Sequence, residues 1–254
     1  MLSKGETLLR AYLVEIFSSI QGEGPYAGVR QVFVRFAGCN LKCSYCDTPH
    51  EREAEYRVET VPGSGVFDRF PNPVDEETVS CIINNLISGN IHSICLTGGE
   101  PLLQTEFIRN LAQILRKNGL KVYLETNGSL PGALEEVLPF VDYISMDIKL
   151  PGSTGIEVEW NTHKEFLKKG LQKNIFVKAV VSSDTSDSEI TAASRLIQGV
   201  DTHIPLIIQP VTPHPGFPGE TPTAGRLLKL QELSLNHIND VRVIPQTHKM
   251  MGQL

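Results

Sequence analysis

The chain has 254 residues, and its 23 basic and 29 acidic side chains give a formal net charge of −6. Hydrophobic residues make up 41% and charged residues 20%, a composition that excludes a disordered or fibrous chain. The acidic balance argues against broad binding to nucleic acid or to anionic membranes, since both depend on clustered positive charge. With no apolar run of the roughly 18 residues that a membrane span needs, we expect a cytoplasmic protein.

The first predicted elements are two strands, at 12–17 and 31–36, joined by a glycine-rich loop with the motif QGEGP at 21–25. β-branched and aromatic residues dominate both strands, which is typical of buried sheet. The stretch from about 47 to 75 is polar, contains several prolines and lacks clear periodicity. It is interpreted as an irregular insertion within one domain and not as a linker between two.

Further along the chain, helices and strands alternate. Apolar residues recur at helical spacing over 79–87 and again over 108–115, where Gly119 stands at the position of a helix C-cap. This alternation is typical of parallel βαβ units. The sequence therefore predicts one α/β domain over 1–254, an open or partial barrel with mostly parallel strands. The later strands are predicted at 91–96, 121–125, 143–148, 175–181, 204–209 and 241–244.

The strongest chemical signal is the CxxxCxxC motif formed by Cys39, Cys43 and Cys46, in the loop after the second strand. Three thiolates can hold a [4Fe–4S] cluster and leave one iron open to an outside ligand. A structural zinc site completed by His50 has an acceptable spacing as well, and a chance group of buried cysteines is a third interpretation. Cys95 is expected in the core and Cys81 on the polar side of a helix, and neither is expected to bind the cluster.

The CxxxCxxC motif resembles that of the radical S-adenosylmethionine (SAM) enzymes, whose open iron binds SAM. The motif GGEP at 98–101, directly after a predicted strand, resembles the loop that approaches the methionyl amine in that superfamily. Polar groups also end two other predicted strands, at 125–128 and 147–149. Because strand ends line the active face of barrel-like parallel sheets, we expect these groups to converge, although each could instead be a helix cap or loop contact.

Other motifs resemble one subfamily, the 7-carboxy-7-deazaguanine synthases of 7-deazapurine (queuosine precursor) biosynthesis. They are IQGEGP at 20–25, RFAGCNL at 35–41, CDT at 46–48 and QTHK at 246–249. The resemblance implies a truncated radical-SAM barrel that converts 6-carboxy-5,6,7,8-tetrahydropterin to 7-carboxy-7-deazaguanine with loss of ammonia. It also implies a homodimer that uses Mg²⁺ and an electron donor such as flavodoxin or ferredoxin.

The resemblance further implies roles for single residues. Thr48 and Asp47 would present oxygens to Mg²⁺, although a simple turn after Cys46 explains them too. Arg35 has a planar fork suited to a carboxylate. It could instead be a surface charge, but strand alternation places it on the face opposite Val34 and Phe36. His248 and Leu254 would close the substrate pocket from the C-terminal tail, for which a frayed end is the alternative. Glu125 and Arg35 are the catalytic candidates. The remaining substrate candidates are Ile20, Gln21, Gly22 and Thr97. The cofactor candidates are Tyr45, Asp47, Gly99, Asp147, Ile148 and Lys149, with Lys178 a further candidate for SAM.

Two other functions stay open from the sequence. An activating enzyme for a glycyl-radical enzyme shares the cysteine motif and a GGE loop, but it does not require the QGEG loop or the QTHK tail. A non-enzymatic iron–sulfur or zinc protein is the second alternative. Formation of 5′-deoxyadenosine from SAM separates this last class from the two enzymes.

Overall fold

A computed structural model describes residues 9–46, 48, 51–214, 217 and 219–253. Among these residues one sheet of ten strands forms the centre of the fold. In chain order the strands are β1 (Arg10–Ala11), β2 (Leu13–Ile20), β3 (Arg30–Phe36), β4 (Glu55–Glu59), β5 (Phe67–Pro71), β6 (Val74–Asp75), β7 (Ser93–Gly98), β8 (Val122–Thr126), β9 (Tyr143–Asp147), β10 (Asn174–Val181), β11 (Leu206–Pro210) and β12 (Val241–Val243). The helices are α1 (Glu76–Leu86), α2 (Thr105–Lys117), α3 (Pro131–Val137), α4 (Pro151–Thr154), α5 (Trp160–Gly170), α6 (Asp187–Gln198), α7 (Ala224–Leu235) and α8 (Thr247–Met250).

The sheet is open, with the strand order β12-β11-β10-β9-β8-β7-β3-β2-β4-β5 over the described residues. β3 and β7 to β12 are joined by parallel pairings only. β2 runs antiparallel to β3 and begins a mixed edge, while β1 and β6 pair separately. This arrangement confirms the predicted α/β fold, an incomplete barrel with mostly parallel strands.

Six of the described helices, α1, α2, α3, α5, α6 and α7, pack on one face of the sheet through buried apolar residues. In α2 the stripe of Ile108, Leu111 and Leu115 is fully buried, and Gly119 follows the helix with φ of 77°, the left-handed conformation that glycine favours at a helix end. α6 begins with a capping box between Ser186 and Glu189, which satisfies otherwise free backbone N–H groups. We call this side of the sheet the helix-covered face.

The opposite side, the cleft face, receives every second residue of each strand. In β8, Leu124 belongs to the apolar core under the helices, whereas Tyr123 joins a second apolar cluster on the cleft face. This second cluster forms an aromatic floor, and polar side chains follow it toward the carboxyl ends of the strands. The fully or largely buried members of the floor are Phe17, Phe33, Cys95, Tyr123, Phe176 and Ile207.

All eight predicted strands are present, with ends within three residues of those predicted. The prediction of an irregular insertion at 47–75 is wrong for its later part, because β4 and β5 extend the sheet as an antiparallel pair and β4 pairs with β2. Tyr56 and Val58 are buried on either side of the exposed Arg57, an alternation too short to stand out among charges and prolines. No helix within the described ranges is both long and apolar enough to cross a membrane.

Candidate active site

The loops that follow the parallel strands meet in one cleft at the carboxyl end of the sheet. It has two connected parts, the thiol chamber, about 1030 Å³ including its open mouth, and the inner chamber, about 490 Å³. The thiol chamber is lined by Cys39, Cys43, Tyr45, Cys46, Thr48, Gly99, Asp147 and Lys149. The inner chamber is lined by Phe17, Ile20, Gln21, Gly22, Phe33 and His248. Both chambers share the side chains of Glu23, Arg35, Thr97, Glu125 and Gln246.

The three cysteines of the CxxxCxxC motif are partly buried and all lie in the thiol chamber. Burial raises the pKa of the Cys43 thiol to about 11, and metal coordination would instead hold such a thiol deprotonated. Within the described part of the chain, no three potential ligand side chains are close enough to hold a single ion. A cubane cluster binds each thiolate through a different iron, so separated thiols around one cavity fit a cluster with an open iron.

The GGEP loop rests directly on the start of the cysteine loop. The backbone N–H of Gly99 donates to the carbonyl of Phe36 at 3.1 Å, and that of Glu100 donates to the carbonyl of Gly38 at 2.9 Å. A Cβ on Gly99 would clash with the Gly38 carbonyl, so only glycine allows this approach. The two motifs that carry the resemblance to radical SAM enzymes are thereby held together at one wall of the thiol chamber.

Glu100 is a buried residue that connects two loops through hydrogen bonds, a role that the sequence did not reveal. Its carboxylate accepts hydrogen bonds from the backbone N–H of Asn127 at 2.7 Å and of Leu102 at 3.0 Å, and from the Thr126 hydroxyl at 2.9 Å. Burial raises the pKa of Glu100 to about 7 despite these donors, because the charged form is removed from water. Glu100 therefore ties the GGEP loop to the end of β8.

SAM candidates at the end of β9 and in the cysteine loop form a charged group. The Lys149 ammonium donates to the Tyr45 hydroxyl at 2.9 Å and to Asp147 Oδ2 at 2.8 Å. Burial opposes the Lys149 charge, but Asp147 and Tyr45 outweigh it, so the pKa of Lys149 is raised. The side chain of Ile148 does not reach the cleft, because it is fully buried in the core of the helix-covered face. Asp47 lies outside the described residues.

The substrate candidates gather around the inner chamber. Ile20, Gln21, Gly22, Thr97 and His248 all line it, together with the shared residues Glu125 and Arg35. Leu254 lies outside the described residues. The sequence placed these positions far apart along the chain, and the fold brings them to one cavity.

Glu125 is held in one orientation at the junction of the chambers. Gln21 Nε2 donates to its Oε1 at 3.0 Å, and the Thr97 hydroxyl donates to its Oε2 at 2.7 Å. Gln21 Nε2 also donates to Gln31 Oε1 at 3.0 Å, and Gln31 in turn donates to the Ser93 hydroxyl at 2.8 Å. Such a chain of buried hydrogen bonds fixes the carboxylate and leaves little freedom for rearrangement.

Arg35 lies on the cleft face, as strand alternation predicted. Its Nε donates to Glu15 Oε1 at 2.9 Å, and one terminal nitrogen lies 3.5 Å from the Thr48 hydroxyl. Glu15, which the sequence did not single out, is buried and also pairs with Arg57. The pairing with Glu15 orients the guanidinium, and its outer nitrogens stay directed toward the cleft beside Thr48.

The C-terminal tail packs on the QGEG loop. The backbone N–H of Thr247 donates to the Gly22 carbonyl at 2.9 Å, and Gln246 Nε2 donates to Glu23 Oε1 at 2.7 Å. A Cβ on Gly22 would clash with His248. The tail therefore forms part of the cleft wall through residues 246–248.

Lys178, named from the sequence only as a further SAM candidate, lines the thiol chamber, as do Glu23 and Gln209, to which the sequence gave no role. Lys178 pairs with Glu23 and lies 3.3 Å from Asp147 Oδ2. A signal was present, since a lysine in an otherwise apolar strand, two positions after Phe176, must share the cleft face with that residue. Its partner could not be inferred, because Glu23 lies 155 positions away.

Comparison with known proteins adds independent information on this cleft. The Radical SAM superfamily profile matches residues 33–174. A 7-carboxy-7-deazaguanine synthase of Geobacter sulfurreducens is 46% identical, with 96% of this chain and 98% of that protein covered. A protein of the same name from Methanothermobacter thermautotrophicus is 39% identical, with 96% and 98% covered. The crystal structure of QueE from Escherichia coli has the same fold, with a TM-score of 0.61 at 20% identity over 93% of this chain and 94% of that one.

Proposed function

Because the chain belongs to the 7-carboxy-7-deazaguanine synthase family of the radical SAM superfamily, we propose that its two-chamber cleft is the active site of that lyase. The enzyme converts 6-carboxy-5,6,7,8-tetrahydropterin to 7-carboxy-7-deazaguanine with loss of ammonia. An activating enzyme for a glycyl-radical enzyme and a non-enzymatic iron–sulfur or zinc protein are not favoured, since the relatives match nearly the whole chain.

One observation supports this use of the cleft above all others. The chamber that holds three thiols and the chamber that holds the QGEG loop share the walls formed by Arg35, Thr97 and Glu125. A molecule bound beside the thiols would therefore lie next to a ligand in the inner chamber. This arrangement supports a reaction between two bound molecules, SAM and the pterin.

The thiol chamber fits a [4Fe–4S] cluster held by Cys39, Cys43 and Cys46. When bound, the cluster and SAM supply the one-electron chemistry that begins the reaction. The backbone at Gly99 lies open to the chamber and would accept the methionyl amine of SAM. Asp147, Lys149 and Tyr45 would orient the rest of that molecule through their hydrogen-bonded group.

The inner chamber would hold the pterin by its two ends. Arg35 would bind the carboxylate through its planar fork, and the nearby Thr48 hydroxyl would help to hold a Mg²⁺ ion that supplies positive charge to the site. The backbone of residues 20–22 would bind the far edge of the ring, with His248 closing the pocket. Glu125 would then lie against the reacting part of the ring, where its fixed carboxylate can accept or return a proton.

The experiment for the function is direct. Anaerobically reconstituted protein is incubated with SAM, dithionite and the carboxypterin, and the mixture is separated by chromatography. We expect 7-carboxy-7-deazaguanine and ammonia in equal amounts. Formation of 5′-deoxyadenosine without any pterin product would contradict the proposal.

The magnesium role of Thr48 has its own test. The Thr48→Val variant keeps the shape of the side chain and removes its oxygen, so stimulation by Mg²⁺ should weaken while SAM affinity stays close to that of the wild type. An unchanged Mg²⁺ titration would assign Thr48 to the turn alone.

The partners stay predictions from the resemblance. A homodimer is expected, and light scattering at several protein concentrations tests it. An electron donor of the flavodoxin or ferredoxin type is expected, and it should replace dithionite in the product assay. A cytoplasmic location is expected as well.

A further inference from the structure

The QGEG loop is anchored on strand β10 at two adjacent places. Gly24 has φ of 66° and lies so close to the ring of Phe176 that a Cβ would clash with it. One step along the same face of β10, the Lys178 ammonium pairs with the carboxylate of Glu23. β10 therefore holds both the shape and the charge of the loop.

The pair is almost fully enclosed. The side chains of Lys178 and Glu23 are 10% and 15% exposed. The other carboxylate oxygen of Glu23 accepts from Gln209 Nε2 at 3.2 Å and from Gln246 Nε2 at 2.7 Å. Every oxygen of Glu23 thus has a donor, which is the condition under which a buried ion pair is tolerated.

Both groups stay charged in the working range of pH. Burial opposes the charge on Glu23, but Lys178 overrides it and lowers the pKa of Glu23 to about 2. Burial likewise opposes the charge on Lys178, and Glu23 with Asp147 raises its pKa. A pair that keeps both charges cannot donate or accept a proton during turnover, so its contribution is structural or electrostatic.

The neighbours of Lys178 predict which ligand depends on it. Asp147 has a second cation, because Lys149 donates to its Oδ2 at 2.8 Å. Glu23 would retain the amides of Gln209 and Gln246 and a smaller electrostatic interaction with His248, but it would lose its lysine partner. Removal of Lys178 should therefore disturb the QGEG loop far more than the SAM group on β9.

We propose that Lys178 is a positioning residue for the pterin, because its ammonium fixes Glu23 and thereby the backbone of residues 20–22 that lines the inner chamber. The inference rests on the proposed function of that chamber. It assigns no contact between Lys178 and the reacting atoms.

The test compares Lys178→Met, which removes the charge and keeps the length, with Glu23→Gln and with the double variant. We expect each single change to raise the pterin KM by about tenfold or more, equivalent to roughly 1.4 kcal/mol, while the Kd of SAM from equilibrium dialysis changes less than about threefold. The double variant should be no worse than the poorer single variant, because both changes remove the same interaction. Lys178→Arg should recover most of the affinity.

Controls separate this inference from the function itself. Lys169→Met removes a lysine paired with Glu135 and Glu165 on the surface and should leave the pterin KM unchanged. If Lys178→Met fails to fold, the double variant can be tested in its place. It removes both charges of the pair and so leaves no uncompensated buried charge. The inference would be overturned if the wild type forms product and the pterin KM is unchanged in Lys178→Met or in the double variant. The proposed function would not be affected by that result. The inference would also be overturned if the rise in pterin KM in the double variant equals the product of the rises in the two single variants.

Discussion

The two faces of the central sheet are built from the same strands and do different work. On β8, Leu124 is buried under the helices while its neighbour Glu125 reaches the cleft. The helix-covered face is mostly apolar up to the end of β8, where Thr126 bonds to Glu100, whereas the cleft face changes from an aromatic floor to a charged mouth. Because side chains alternate with a period of two, one short strand can supply the stability of the fold and the chemistry of the site.

The cleft face itself combines rigidity with charge. Its floor contains stacked rings, with the Phe17 and Phe33 centroids 5.0 Å apart, and an edge contact of 4.9 Å between Tyr26 and Tyr143. Above it, Glu125 and Lys178 are held by neighbouring strands and loops. These polar groups above the apolar floor are tolerated because Glu125 is hydrogen-bonded and Lys178 is paired with Glu23.

The largest expected effect separates the cleft cysteines from the others. Cys39→Ala, Cys43→Ala and Cys46→Ala should each abolish product formation and the brown absorbance of the reconstituted cluster. Cys95→Ala, on the aromatic floor, and Cys81→Ala, exposed on α1, should keep both. Full cluster absorbance with normal turnover in any of the first three variants would refute the cluster assignment.

A change on the helix-covered face should affect stability without affecting the site. Leu111→Ala in α2 removes a fully buried side chain and should cost about 2 to 5 kcal/mol of unfolding free energy, measured by urea denaturation. The pterin KM of the folded fraction should stay at the wild-type value. A large rise in KM would show that the two faces are not independent.

The buried carboxyl group of Glu100 should make the stability of the fold depend on pH. Its pKa of about 7 lies above the ordinary value of 4.5, so the folded state binds more protons than the unfolded state between these values, and stability falls as pH rises through them. Relative to Glu100→Gln, the wild type should lose on the order of 3 kcal/mol between pH 4.5 and 8. Unfolding curves for the two proteins that shift in parallel with pH would contradict this.

The smallest expected effect concerns the tail, which joins the cleft wall through Thr247 and Gly22. A tag added at the C-terminus should lower pterin turnover by about tenfold with little change in melting temperature or SAM affinity. A tag at the N-terminus serves as the control. Equal turnover of both tagged forms would leave His248 without a role in closing the pocket.

The parallel part of the fold was predicted well because its helices and strands show clear periodicity over short stretches of sequence. The stripe in α2 and the apolar run of β10 needed no knowledge of their partners. The pair β4 and β5 was missed because its pattern depends on the neighbouring strand β2 for burial, and Pro71 and charged residues obscure it.

The site was predictable where a motif carries it and not where it depends on contacts between distant residues. CxxxCxxC and GGEP indicated the thiol chamber, and the polar strand ends indicated where it opens. The pairings of Glu15 with Arg35 and of Glu23 with Lys178 arise only from strand register and loop packing. A position between two site residues in the sequence does not place a side chain in the site. The side chain of Ile148 lies in the core although Asp147 and Lys149 face the cleft.

A crystal structure of the reconstituted protein with SAM and the carboxypterin, with iron located by anomalous diffraction, would show directly whether the cleft holds both ligands. The two-chamber cleft predicts the iron signal beside Cys39, Cys43 and Cys46. It predicts the pterin in the inner chamber, against Gly22 and Arg35, with Glu125 between the two ligands. Iron at the cysteines with the pterin bound outside the inner chamber would contradict the assignment of that chamber as the pterin site.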